Sequence, residues 1–148
     1  MTENPKVFLI LGPNLSGRRA LLYDFLDCLE SESSVLYFKY KDEISNDYDS
    51  SLESLAKVNT ILWSLEDSKI KHNSIKVNPS SIFFIAPASI DLADIMEGLK
   101  GWLNKNNCYL TRIITIMNCK SLSENNSQNN WYDAAIHFSD MVLLNQRE

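Results

Sequence analysis

The sequence predicts an α/β domain of the three-layer type, with a mostly parallel central sheet flanked by helices. Strand-like and helix-like segments alternate along the chain, and several of the strand-like segments are continuous apolar runs. Such runs are typical of parallel strands buried on both faces. The 148 residues suffice for one domain with a hydrophobic core. We therefore expect a single domain over residues 1–148, either naturally short or the N-terminal domain of a longer protein.

The first half of the chain begins with a buried strand, VFLIL at residues 7–11. Apolar residues at helical spacing then predict a helix that starts at Arg18, with charged residues mostly between them: Leu21, Leu22, Phe25, Leu26 and Leu29. A second strand is predicted over residues 34–40. The acidic stretch 41–57 predicts a loop and a short helix near residues 52–58, with its charges on a solvated face rather than in a metal site. A short strand follows over residues 60–65.

The second half repeats the alternation. Strands are predicted at residues 82–85, 110–117 and 141–144, with a helix from Leu92 to Leu103 and a short helix over 131–137. The polar segment 121–130 is expected to be a loop. His72 is expected to be an exposed structural histidine, and aromatic residues on the helices are expected in the core rather than at an interface: Trp102, Trp131 and Tyr132.

Composition limits the class of partner. The formal net charge of −5 argues against nucleic acid, because affinity for a phosphate backbone rests on lysine and arginine. The three cysteines form no C-x-x-C pair, so neither a disulfide framework nor a zinc site is indicated, and buried free thiols are expected. No apolar run is long enough for a membrane span or signal-peptide core. We expect a cytoplasmic location, no nucleic-acid or membrane partner, and a small phosphate ligand or a protein as the partners that stay open.

The connection after the first strand is the main candidate site. A phosphate-binding loop has the pattern G-x-x-x-x-G-K-S/T, whose glycines let backbone N–H groups surround a phosphate at a helix N-terminus. The chain has both glycines, the preceding strand and the following helix. The candidate ligand-binding residues here are Gly12, Pro13, Asn14, Leu15, Ser16, Gly17, Arg18 and Arg19.

Two arginines replace the functional side chains of this pattern. Arg18 keeps the positive charge of the lysine but is bulkier, and Arg19 has no oxygen with which to bind Mg²⁺. Magnesium-dependent phosphoryl transfer is therefore not expected, and no catalytic or metal-binding residue is assigned. Two interpretations stay open: an ordinary strand-to-helix connection with exposed arginines, or residual anion binding.

With the later strands, the chain resembles the CobW/HypB/UreG group of P-loop GTPases, and CobW-like proteins most. The family loop reads approximately G-F-L-G-S/A-G-K-T, which Gly12, Ser16 and Gly17 match. The segment IAPASIDLAD resembles a family segment in which an acidic residue stands where this chain has Ala86. The strand LTRIITIMNCKSL resembles one that ends in V-D-A, with Asn118 near the aspartate position.

The closing segment FSDMVLLNQRE resembles the family's guanine-reading motif, which ends in N-K-x-D. Asn145 matches the asparagine, Gln146 replaces the lysine and Glu148 replaces the aspartate, so the resemblance implies base contacts for Asn145 and Glu148. The family's C-x-C-C metal-binding motif has no counterpart in KVNTILWSLEDS.

The residues and the resemblance together leave three functions open. The favoured one is a degenerate, non-hydrolysing P-loop domain that acts as an interaction or regulatory module, with at most weak nucleotide or phosphate binding. The alternative is a functional GTP-binding protein or GTPase in metal trafficking or metallocofactor assembly. A third is a magnesium-independent binder of a phosphorylated ligand through Arg18 and Arg19. GTP or another phosphate ligand is the cofactor class left open, and Mg²⁺ is not favoured.

Overall fold

The apolar runs of the sequence form the strands of one sheet. The computed structural model describes residues 4–13, 17–28, 33–43, 47–119 and 129–145. In chain order the elements are β1 (Lys6–Leu11), α1 (Arg18–Asp27), β2 (Val35–Tyr40), α2 (Asp47–Ser54), β3 (Val58–Glu66), β4 (Lys69–His72), β5 (Ser81–Ala86), α3 (Leu92–Lys105), β6 (Tyr109–Asn118), α4 (Asn129–Phe138) and β7 (Met141–Asn145).

The sheet is mostly parallel, as the sequence predicts. Its strand order is β4-β3-β2-β5-β1-β6-β7, and among these described strands only the pairing of β3 with β4 is antiparallel. β1 lies inside the sheet between β5 and β6, so that Leu11 is aligned with Ala86 on one side and Thr115 on the other. The carboxyl ends of the parallel strands therefore meet at one edge of the sheet.

Helices cover both faces and bury the apolar side chains of the strands. α1 and α2 pack on one face, where Leu22, Leu26 and Leu52 join a core with Tyr37 and Phe83. α3 and α4 pack on the other face. This second core contains apolar and aromatic side chains from both the sheet and the helices, among them Phe38, Trp63, Phe84, Leu99, Trp102 and Ala135. The α/β class and the layered arrangement expected from the sequence are confirmed.

The predicted short helix between β2 and β3 was misplaced. The helix spans Asp47–Ser54, and residue 58 already begins β3, which continues to Glu66. β3 is longer than predicted because it pairs with β2 along its first six residues and with β4 along its last four. Of the predicted loop 121–130, residues 121–128 lie outside the described residues, and 129–130 begin α4. None of the helices that the structure describes is long and apolar enough to cross a membrane.

The prediction for His72 was right about its structural role and wrong about its exposure, whereas the prediction for the aromatic residues was mostly right. His72 ends β4 and is half-buried, and its Nε2 accepts a hydrogen bond from Trp102 Nε1 at 3.0 Å. Trp102 and Tyr132 are buried in the core, and Trp131 packs against it. His72 therefore anchors the edge strand to α3.

At Gly98, α3 closely approaches Leu65 of β3 and Ser68 in the β3–β4 turn. A Cβ atom on Gly98 would lie 2.7 Å from Leu65 Cδ1 and 3.3 Å from the carbonyl oxygen of Ser68. A Cβ atom on Gly101, one turn later, would meet nothing within 4 Å. Gly98 thus sets how closely the helix packs on the turn, whereas Gly101 faces open space.

Candidate functional site

The candidate residues lie at the carboxyl edge of the sheet. Gly12 follows β1, Ala86 ends β5, and Asn118 and Asn145 end β6 and β7, where they are aligned with each other. After β1 the chain continues into α1 on one face, whereas α4, the next described helix after β6, packs on the opposite face. In open α/β sheets, a crevice that binds ligands forms where connections diverge in this way.

Gly17 provides the turn from the candidate loop into α1. Its φ of 95° and ψ of 20° lie in the left-handed region, which glycine adopts without the strain of a Cβ atom. Its carbonyl oxygen accepts the first helical hydrogen bond, from Leu21 N at 2.9 Å. Gly12 and Pro13 are buried, whereas Asn14, Leu15 and Ser16 lie outside the described residues. In the described part of the connection, Gly17 is thus the N-cap residue of α1.

Both arginines at the start of α1 are buried. Each is only 4% exposed, so the interpretation of Gly12–Arg19 as a connection with solvent-exposed arginines was wrong. A buried guanidinium is costly unless it is paired and hydrogen-bonded. The side chains around Arg18 and Arg19 are therefore the ones that decide what this site can bind.

Arg18 and Arg19 share one carboxylate. Arg18 Nη2 donates to Glu43 Oε1, and Arg19 Nη2 lies 3.1 Å from Glu43 Oε2. Arg18 Nη1 also donates to the carbonyl oxygen of Ala86 at 2.8 Å. The side chain of Glu43 is 1% exposed. Ala86 thus contributes a main-chain carbonyl to the site, and Arg18 donates to it.

A second carboxylate neutralises Arg19 from the other side. Asp49 Oδ2 accepts from Arg19 Nη1 at 3.0 Å and lies 3.3 Å from Lys39 Nζ, and Asp49 Oδ1 lies 3.4 Å from the hydroxyl of Tyr37. Asp49 is 4% exposed. The expectation that the acidic run 41–57 forms a solvated face was therefore wrong for Glu43 and Asp49, because the arginines of α1 and Lys39 draw them inward.

We call Arg18, Arg19, Lys39, Glu43 and Asp49 the buried ion cluster. Burial, with a contribution from the neighbouring positive charge of Arg19, lowers the pKa of Arg18 to about 10, so Arg18 stays protonated at neutral pH. With both carboxylates ionised, three cations face two anions, and these five side chains carry a net charge of +1. Burial and the negative charge of Asp49 raise the pKa of Tyr37, which keeps its hydroxyl neutral.

The predicted base-reading residues are only partly described. The backbone of Asn145 ends β7, and its side chain lies outside the described residues, as do Gln146 and Glu148. Base recognition by Asn145 and Glu148 therefore stays a prediction. Within the described ranges no three His, Cys, Asp or Glu residues are grouped to hold a metal ion. The expectation of buried thiols holds for Cys108, whereas Cys28 is exposed and Cys119 is half-buried.

Sequence reasoning missed four members of this environment: Tyr37, Lys39, Glu43 and Asp49. One signal was present in β2, where Tyr37 and Lys39 are two residues apart and therefore lie on the same face of a strand. A lysine on a buried strand needs an anionic partner, and the following acidic segment is the nearest source along the chain. The pairing of Glu43 with both arginines needs the tertiary fold.

Comparison with protein-family models gave no match, and a search of curated proteins gave no significant match. The fold class and the buried ion cluster therefore stand on the structure alone. The likeness to CobW-like proteins rests on the motifs in the sequence.

Proposed function

We propose that this chain is a degenerate CobW-like P-loop domain that does not hydrolyse GTP with Mg²⁺ and acts as an interaction or regulatory module. The observation that carries the proposal is the pairing of Arg18 and Arg19 with Glu43 and Asp49, with both arginines 4% exposed. Glu43 and Asp49 already pair with the two guanidiniums that would hold a phosphate in an active loop. Nucleotide or phosphate binding is accordingly weak.

The chemistry of the cluster opposes magnesium-dependent hydrolysis. Mg²⁺ is held in such sites by oxygen ligands, and Arg19 brings a permanent positive charge to the position of the hydroxyl ligand. Ala86, at the position of the family's acidic residue, has no carboxylate with which to orient Mg²⁺ or water. Two independent positions thus work against the same reaction.

Exposed apolar side chains support a protein partner. Phe138, Met141 and Leu144, at the end of α4 and in β7, are 44%, 47% and 50% exposed, and β7 lies at the edge of the described sheet. Met141 and Leu144 are three residues apart in β7 and so lie on opposite faces of it, and an edge strand with exposed apolar side chains is a template for pairing with another chain. A domain that does not turn over nucleotide acts through what it binds, and this edge is the surface we assign to that role.

Calorimetric titration of the purified protein tests the proposal. GTP, GDP, ATP and inorganic phosphate are each titrated with and without Mg²⁺, and we expect at most weak binding that Mg²⁺ does not strengthen. Saturable, guanine-selective binding that Mg²⁺ strengthens would contradict the proposal. It would support the alternative function, a GTPase in metal trafficking or metallocofactor assembly.

A double substitution tests the chemical argument separately. Arg18→Lys with Arg19→Thr restores the lysine and hydroxyl of the loop pattern but leaves Ala86 unchanged. We expect no magnesium-dependent hydrolysis of GTP by this variant in a phosphate-release assay. Recovered turnover would show that the two arginines alone had disabled the site, contrary to the role given to Ala86.

A further inference from the structure

Glu43 holds the two arginines in the way that an external anion would. Its two carboxylate oxygens face two different guanidinium groups: Oε1 accepts a hydrogen bond from Arg18, whereas Oε2 lies 3.1 Å from Arg19 Nη2 as an ion pair without hydrogen-bond geometry. Planar guanidinium groups bind the oxygens of carboxylates and of phosphates with the same donor geometry. One carboxylate therefore occupies a two-arginine position that also suits a phosphate group.

The two carboxylates of the cluster are held by different kinds of structure. Asp49 lies within α2, and it also contacts Lys39 and lies near Tyr37. Glu43 lies in the turn that follows β2, where its backbone N–H donates to the carbonyl oxygen of Tyr40 at 3.2 Å. Moving the Glu43 carboxylate away from the arginines requires a change in a turn, whereas moving the Asp49 carboxylate away would disturb a helix and its contacts with β2.

Charge favours an added anion once Glu43 withdraws. Its withdrawal takes one negative charge away from Arg18 and Arg19. In a buried environment that loss is poorly screened, and an added anion would restore the negative charge.

We infer that Glu43 is a built-in occupant of an anion site formed by Arg18 and Arg19, and that a phosphate group competes with its carboxylate for both guanidiniums without Mg²⁺. This inference rests on the proposed function in one respect, the absence of a magnesium requirement. It adds that Glu43 is the residue that keeps the affinity for phosphate low. It also adds that the site binds a phosphate group once the Glu43 carboxylate has moved away.

The experiment compares phosphate binding by wild type and Glu43→Gln, measured by calorimetry in Mg²⁺-free buffer at constant ionic strength. Glutamine keeps the size of the side chain and removes its charge. We expect at least a tenfold gain in affinity for inorganic phosphate. Glu53→Gln is the matched control, because Glu53 is an exposed glutamate on α2, and it should leave phosphate binding unchanged.

Further arms separate the outcomes. A gain for inorganic phosphate identifies the phosphate group itself as the ligand, whereas a gain for GTP or ATP alone shows that the site takes phosphate only as part of a nucleotide. Adding Arg18→Gln to Glu43→Gln should abolish either gain. Unchanged affinity for phosphate and for both nucleotides in a folded Glu43→Gln protein would overturn the inference.

If Glu43→Gln does not fold, Glu43→Ala takes its place, because it also removes the carboxylate that contacts the two arginines. A folded Glu43→Ala protein with no gain in phosphate affinity would equally overturn the inference. Failure of the proposed function is a different result, namely Mg²⁺-dependent, guanine-selective binding by the wild type. The Mg²⁺-free comparison decides the role of Glu43 in either case.

Discussion

Neutralising Asp49 should strongly destabilise the fold. Its carboxylate lies 3.0 Å from Arg19 Nη1 and 3.3 Å from Lys39 Nζ. At an effective dielectric constant of about 20, each such contact corresponds to about 5 kcal/mol of attraction, most of it offset by the desolvation of the charges. Asp49→Asn leaves both cations buried beside a neutral amide. Removing one partner of a buried ion pair costs about 3–5 kcal/mol in the free energy of unfolding.

That cost is a large share of the total stability of about 5–15 kcal/mol that is usual for a domain. For a chain of this size it corresponds to a fall in Tm of about 6–20 °C. Urea unfolding followed by far-UV circular dichroism measures the difference, provided that the slope of the transition is unchanged. Glu53→Gln, an exposed change on the same helix, should stay within about 0.5 kcal/mol of the wild type.

A paired substitution separates lost charge balance from lost contacts. Arg19→Met with Asp49→Leu removes one cation and one anion together, so the net charge of the cluster stays at +1. Replacing a buried ion pair by apolar side chains is often neutral or stabilising, and we expect the double variant to be more stable than Asp49→Asn. The reasoning would be refuted if Asp49→Asn cost less than about 1 kcal/mol, or if the double variant were as unstable as the single one.

Two further predictions concern Tyr37 and the glycines of α3. The raised pKa of Tyr37 keeps its hydroxyl protonated in the folded protein above about pH 10, whereas the unfolded chain loses that proton in the same range. Above about pH 10, Tyr37 therefore lowers the free energy of unfolding by up to about 1.4 kcal/mol per pH unit. Denaturation between about pH 9 and about pH 11 should show a shallower fall for Tyr37→Phe, and an identical fall would contradict the role assigned to Tyr37. Gly101→Ala should stabilise the protein by up to about 1 kcal/mol through helix propensity, whereas Gly98→Ala, whose Cβ would lie 2.7 Å from Leu65 Cδ1, should be less stable than Gly101→Ala by about 1–3 kcal/mol. Thermal unfolding of the two alanine variants side by side checks the order, and equal stability would contradict the packing argument.

The strands were predictable because their signal is local. Runs such as residues 7–11 and 82–85 are apolar throughout, and a strand buried on both faces needs little else. The position of α2 was not predictable, because Asp47–Ser54 has few apolar residues and is held through Leu52 and the buried Asp49. Its sequence lacks the apolar period that identifies an amphipathic helix.

The sequence predicted where the candidate site lies, but not that its arginines are buried or which side chains they contact. Gly12, Gly17 and the arginines stand out because a strand, two glycines and a helix follow in order. What Arg18 contacts depends on Glu43 and Ala86, which are remote from it in the chain. Spacing along a sequence gives no information about such partners, so exposed and buried arginines fitted the sequence equally well.

The position of β1 in the sheet has a consequence for how the chain folds. Both of its neighbours are distant in sequence, because Lys6 is aligned with Ser81 of β5 and with Tyr109 of β6. Loops that large must close before the central strand gains either set of hydrogen bonds, and contacts of this kind slow folding. During synthesis the VFLIL segment therefore has no sheet partner until most of the chain has left the ribosome. In that interval this apolar segment can aggregate.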